Sequence, residues 1–178
     1  MMNSRLMFLM IALLLSLCLA CASRPTELIQ QTETARQEAK DAFADQFAVE
    51  DWSAAEKAWG QAEDALQKED YGGANTHLLR AKSRYAKAKE LALGAKEETV
   101  KKIDIQKMGA NKRLETLLEA NAKLTGAKRK ELDDAAQGIK DKLAKVDELV
   151  KDGSFNEALL SAQRIFREVY DLEQLFKK

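Results

Sequence analysis

Hydrophobic positions recur at intervals of three and four residues along nearly all of the chain beyond residue 27. That spacing puts apolar side chains on one face of an α-helix. A first helix is expected over 28–48, with Leu28, Ala35, Ala39, Phe43 and Phe47 facing inward. A second, over 50–69, carries Trp52, Ala55, Trp59, Ala62 and Leu66 on a heptad seam. Gly72 and Gly73 follow it and should end it, because glycine makes helix continuation costly.

A third helix is expected over 74–124, its inner face running from Leu78, Ala81 and Tyr85 to Ile103, Ala110, Leu114 and Leu117. Unbroken, such a helix of about 50 residues would be about 75 Å long, more than a compact domain of this size needs. Gly94 and Gly109 lie inside it and leave a kink or a break open. After Thr125-Gly126 a fourth helix, 127–151, places Leu132, Ala136, Ile139, Leu143, Val146 and Val150 on one face. Asp152-Gly153 ends it. Ser154, with Glu157 three residues on, reads as a capping box that opens a fifth helix over 155–176. The expected fold is all-α: elongated antiparallel helical hairpins, coiled-coil-like, with one long central helix, in a single domain over 28–178.

An internal repeat supports this division. The stretch Ala62 to Tyr85 aligns without gaps to Val146 to Val169. Each reads as a helix end, a short acidic or glycine turn, an aromatic residue (Tyr71, Phe155) and then an alanine (Ala74, Ala158). The shared physics is a helical hairpin, in which the aromatic covers the turn and the alanine allows close approach.

Composition agrees with helices. The chain has one proline, 6% aromatic and 33% charged residues. Lys plus Arg equals Asp plus Glu at 29 each, so no net field draws in nucleic acid or an anionic surface.

The first 27 residues carry a different pattern. Arg5 is followed by an uninterrupted apolar run from Leu6 to Leu15 and by small or apolar residues to Ala22. A charged start, an apolar stretch and small residues at a cut are the layout of an export signal. The two cysteines of the chain, Cys18 and Cys21, both lie here. Three readings stand: Cys21 as a lipid-bearing first mature residue, cleavage after Ala22 at an ordinary A-x-A site, or an uncut anchor. The first is favoured, with 1–20 as signal, cleavage after Ala20, and 21–27 as a lipid-anchored linker. Ala20-Cys21 resembles the lipobox of bacterial lipoproteins, although Cys18 stands where that family usually has leucine. The resemblance implies lipid on Cys21. With Ala22 rather than Asp at the next position, it implies sorting to the outer membrane, facing the periplasm.

Cys21, Trp52-x-x-Ala55, Ala62, Leu66, Asp70-Tyr71 and Ala74 together resemble a family of small bacterial envelope lipoproteins defined only as a domain of unknown function. The likeness covers Thr26 to Leu93. It implies helical hairpins in the periplasm and supplies no catalytic residue.

Candidate chemistry is sparse. His77 is the one histidine, and a metal site would need more ligands than it and two signal-region cysteines. Glu97-Glu98 and Asp133-Asp134 alternate with lysines at helical spacing, which reads as a solvated charge ladder rather than an acid–base pair. Ser53, Ser83, Ser154 and Ser161 lack a nucleophile elbow, and no phosphate-binding glycine loop occurs. Trp52, Trp59, Tyr71 and Phe155 serve either a partner surface or the core, and the core is favoured because a 3–4 stripe is first a signal of helix association. The mildly basic centre, Lys101-Lys102, Lys107, Lys112-Arg113 and Lys128-Arg129-Lys130, reads as a solvated face.

The expectation is a non-enzymatic, membrane-tethered periplasmic lipoprotein, a structural or protein-interaction module of the envelope. It would have no cofactor, metal, nucleic acid or small-molecule substrate, and would work through an envelope partner or self-association. The alternatives are a periplasmic adaptor or chaperone, or a regulator of a cell-wall enzyme.

Overall fold

A computed structural model describes residues 23–177. They form helices α1 (Thr26–Asp41), α2 (Ala44–Phe47), α3 (Val49–Gln67), α4 (Tyr71–Ala120), α5 (Gly126–Lys151) and α6 (Phe155–Phe176). No strand occurs among the described residues, and none of these helices is long and apolar enough to cross a membrane. The fold is all-α with one long central helix, α4.

The stretch expected as one domain over 28–178 is two compact units, divided between Lys89 and Glu90. Helix α4 runs through the division, and neither Gly94 nor Gly109 breaks it. Its buried positions stop at Ala92 and resume at Ile103.

In the first unit, α1, α3 and residues 71–89 of α4 form an up-down-up three-helix bundle. Helices α1 and α4 run in the same sense, since Lys82 bonds Gln31 and Lys89 bonds Glu38. The core is largely alanine, with Ala39, Ala55, Ala62, Ala74, Ala81 and Ala88 fully buried beside Leu78 and Tyr85. Thr32 is buried where Leu28 and Ala35, expected inward, are only half-buried. Its hydroxyl donates to the Leu28 carbonyl at 2.7 Å, so its polarity is satisfied within its own helix.

The helix expected over 28–48 is broken at Phe43, which adopts φ 62°. The break has a packing reason. On a straight helix Ala39, Ala42, Ala44 and Ala48 would point to opposite faces, whereas here all four are buried.

Helix α4 begins at Tyr71, three residues before the expected start. Asp70 caps it, its Oδ1 accepting from the Gly73 N–H at 2.9 Å. Gly73 is suited to that place, because a Cβ there would lie 2.2 Å from Asp70 Oδ2. The helix ends at Ala120 rather than residue 124, where the Asn121 side-chain amide takes up the Leu117 carbonyl.

In the second unit, residues 90–120 of α4 with α5 and α6 form another up-down-up bundle. Its core is richer in branched residues, with Ile103, Leu114, Ile139, Leu143, Val146, Ile165 and Val169 buried. Lys107–Asp147, Lys142–Glu168 and Arg113–Glu173 tie the three helices pairwise.

The turns α3–α4 and α5–α6 match residue for residue. Asp70 N–H donates to Ala65 O at 2.9 Å and Glu69 N–H to Leu66 O at 3.2 Å. In the second unit Ser154 N–H donates to Leu149 O at 2.8 Å and Gly153 N–H to Val150 O at 3.2 Å. Both are Schellman turns, with Glu69 (φ 56°) and Gly153 (φ 79°) in the left-handed position. Ser154 stands at the N-cap but makes no side-chain cap bond, so the expected capping box with Glu157 does not form. The Schellman turn has already engaged the Ser154 N–H.

The shared turn predicts opposite effects at matched positions. Gly153→Ala should destabilise the chain by about 1–2 kcal/mol, the penalty of a Cβ in the left-handed region. Glu69→Gly removes that penalty, offset in part by the greater freedom of the unfolded chain, and should stabilise by a few tenths to about 1 kcal/mol. Urea unfolding of the two variants checks both signs.

Candidate interaction surface

A polar cluster joining three helices lies in the first unit. Arg36 on α1 forks onto Glu56 on α3, with Nε–Oε1 at 2.7 Å and Nη2–Oε2 at 2.6 Å. Tyr85 on α4, fully buried, donates its hydroxyl to Glu56 Oε1 at 2.6 Å. One carboxylate thus links all three helices. Burial alone would raise the Glu56 pKa, but the hydrogen bonds from Arg36 and Tyr85 outweigh it and hold the carboxyl below 4.5. Burial, reinforced by the bond to Glu56, pushes the Tyr85 hydroxyl well above 10.0. The bond to Glu56 raises the Arg36 guanidinium, against the effect of burial.

The tryptophans frame this cluster. Arg36 lies over the Trp59 ring at 5.8 Å, and Trp52 meets the Tyr85 ring at 5.4 Å with a 60° tilt. Trp59 is 9% exposed and Trp52 half-buried. Neither stands free as a platform. Tyr71 is half-buried at the start of α4, and Phe155, 3% exposed, lies under Lys96 Nζ at 5.2 Å. Ala20 and Cys21 lie outside the described residues.

The charged runs are mostly spoken for. Glu97 and Glu98 pair with Lys101 and Lys102 one turn on, and Asp133 pairs with Arg129. In the basic centre Lys107 and Arg113 pair across helices to Asp147 and Glu173. His77 is half-buried and its Nδ1 has no hydrogen-bond partner. Among the described residues no group of three or more His, Cys, Asp or Glu could hold a metal ion.

A groove of about 510 Å³ lies between α5 and α6 in the second unit. Val146, Leu149 and Ile165 floor it. Its rim is charged and segregated. Glu148, Asp152 and Glu157 surround the end at the turn, while Lys142, Lys145 and Arg164 stand farther up, with Glu168 bonded to Lys142. The first unit has a smaller groove at the corresponding place, between α3 and α4, where the charged rim residues are Lys57, Arg80 and Arg84. Arg80 and Arg164 occupy the same position of the repeat. An apolar floor inside a charged rim suits a protein surface, where apolar burial gives affinity and the rim selects orientation.

Sequence reasoning did not single out Lys142, Lys145, Glu148 or Arg164, and placed Glu157 only in a capping box. The repeat held the missing signal, since aligning Arg80 with Arg164 marks one face of both hairpins. Two exposed apolar residues on α4, Ile105 (65%) and Met108 (70%), and the stack of Arg113 over Phe166 (5.1 Å) and Tyr170 (5.6 Å) were likewise not singled out. Comparison with protein families, with curated proteins and with solved structures returned no match.

Proposed function

We propose that this chain is a non-enzymatic, lipid-tethered interaction module of the bacterial cell envelope, held by Cys21 at the outer membrane and presenting its helical bundles to the periplasm. The tether rests on the residues Arg5, the apolar run from Leu6, and Ala20-Cys21. The observation that carries the interaction role is the α5–α6 groove, with its apolar floor and segregated rim. The polar clusters elsewhere support the assignment by their geometry. Arg36, Glu56 and Tyr85 are bonded to one another across three helices, an arrangement that reads as a structural joint. The mechanism is geometric: lipid fixes the chain to a surface and the groove selects what docks.

A photoreactive amino acid placed at Ser161, in the groove wall, tests the docking role in cells. One discrete adduct is expected from Ser161 and none from the exposed Ser53 on α3. No adduct from Ser161, or a smear of many, removes the groove from the account.

A further inference from the structure

We propose that the partner of the α5–α6 groove is the same groove of a second copy of this chain, related by a two-fold axis across the helices. The proposal rests on the interaction role given above and names its partner.

The argument is charge complementarity. On α5 the basic pair Lys142 and Lys145 and the acidic pair Glu148 and Asp152 are centred about two helical turns apart, roughly 10 Å. On α6 Glu157 lies at the acidic end and Arg164 at the basic end, where Glu168 is bonded to Lys142, and Lys145 and Arg164 leave the end net positive. A rim with this polarity complements itself when rotated by half a turn, so each acidic end meets the basic end of the other copy. The pairing is isologous and closes at two chains. A partner of uniform charge would gain at one end of the rim and lose at the other. The first unit supplies an internal contrast, because its corresponding groove is lined by Lys57, Arg80 and the Asp51-paired Arg84 and has no acidic end to meet a basic one.

Apolar surface adds to this. Leu149 is half-buried on the floor, and Leu160, beside Ser161 on α6, is 54% exposed. Ser161 lies midway along the groove, near the proposed axis, so two copies of it would face one another. One groove is small for a free dimer. Tethering both copies to one membrane raises their effective concentration and makes a weak pairing sufficient.

The test uses the full-length chain in cells, with Ser161→Cys and two differently tagged copies, under mild oxidation. A disulfide-linked dimer of the two tagged chains is expected. Glu148→Lys with Glu157→Lys makes the rim largely basic, leaving only Asp152 and Glu168 acidic, and Lys145→Glu with Arg164→Glu makes it largely acidic. Each variant alone should lose the dimer by about tenfold or more, as expected for like charges brought together. Co-expression of the two variants should restore it, which also shows that both fold. No dimer from the wild-type rim, or a dimer indifferent to both reversals, overturns the proposal. A discrete Ser161 photoadduct with a different protein, in the absence of the dimer, would overturn the second copy as partner while leaving the docking role intact.

Discussion

Tyr85→Ala is expected to destabilise the first unit by about 3–5 kcal/mol, the range for removing a large buried aromatic. Tyr85 is fully buried, meets the Trp52 ring at a 60° tilt, and donates to Glu56. Tyr85→Phe keeps the ring and removes only the hydroxyl, so it should cost about 1.5–3 kcal/mol, as for a hydrogen bond to a charged group. Both tryptophans of the chain, Trp52 and Trp59, lie in this unit, so urea unfolding followed by tryptophan fluorescence reads it directly. The cluster also sets a pH dependence. The Glu56 pKa in the fold lies below 4.5, so its contribution is present above pH 4.5 and is lost as pH falls through the folded value. Tyr85 is raised above 10.0, so its contribution is present below pH 10.0 and is lost at higher pH. Glu56→Gln should remove the acid limb that Glu56 supplies. An unchanged fluorescence midpoint in Tyr85→Ala would remove the cluster as the joint of the three helices.

Phe155→Ala carries the second large expected effect, about 3–5 kcal/mol in the second unit. Phe155 is buried at the start of α6, beneath Lys96 and beside the Schellman turn. Tyr71 holds the same place in the repeat but is only half-buried. Tyr71→Ala should therefore cost nearer 1 kcal/mol, the usual figure for a substitution outside the core. Hydrogen exchange at Leu143, Val146 and Ile165 should speed up in Phe155→Ala. Equal losses in the two variants would mean that the aromatic contributes through the turn sequence rather than through burial.

The contrast between those two residues shows what the sequence could carry. The 3–4 stripes placed Ala55, Trp59 and Ala62 on α3 and Ile139, Leu143 and Val146 on α5 inside, because a helix face depends only on nearby spacing. The repeat marked two hairpins, and their turns coincide bond for bond. Local spacing could not show which helix a face meets. Arg36, Glu56 and Tyr85 come from three helices with no periodic link, so their cluster was invisible. The bend at Phe43 was also hidden, since left-handed backbone at a phenylalanine has no residue signature of the kind glycine gives at Gly153. The start of α4 was misplaced because two glycines read as a breaker, whereas in a first helical turn one of them makes room for the Asp70 cap. The groove's charges looked like any ladder until α5 and α6 were set side by side.

The docking role rests on the α5–α6 groove, whereas the membrane location and the sufficiency of a weak pairing of copies depend on the proposed tether. Its most direct test is the intact mass of the mature protein recovered from membranes, wild type beside Cys21→Ser. A chain that begins at Cys21 with a diacylglyceryl-type mass increase, lost in Cys21→Ser along with membrane attachment, is the expected result. An unmodified chain that begins at Ser23 would contradict the account and leave a free periplasmic protein in its place.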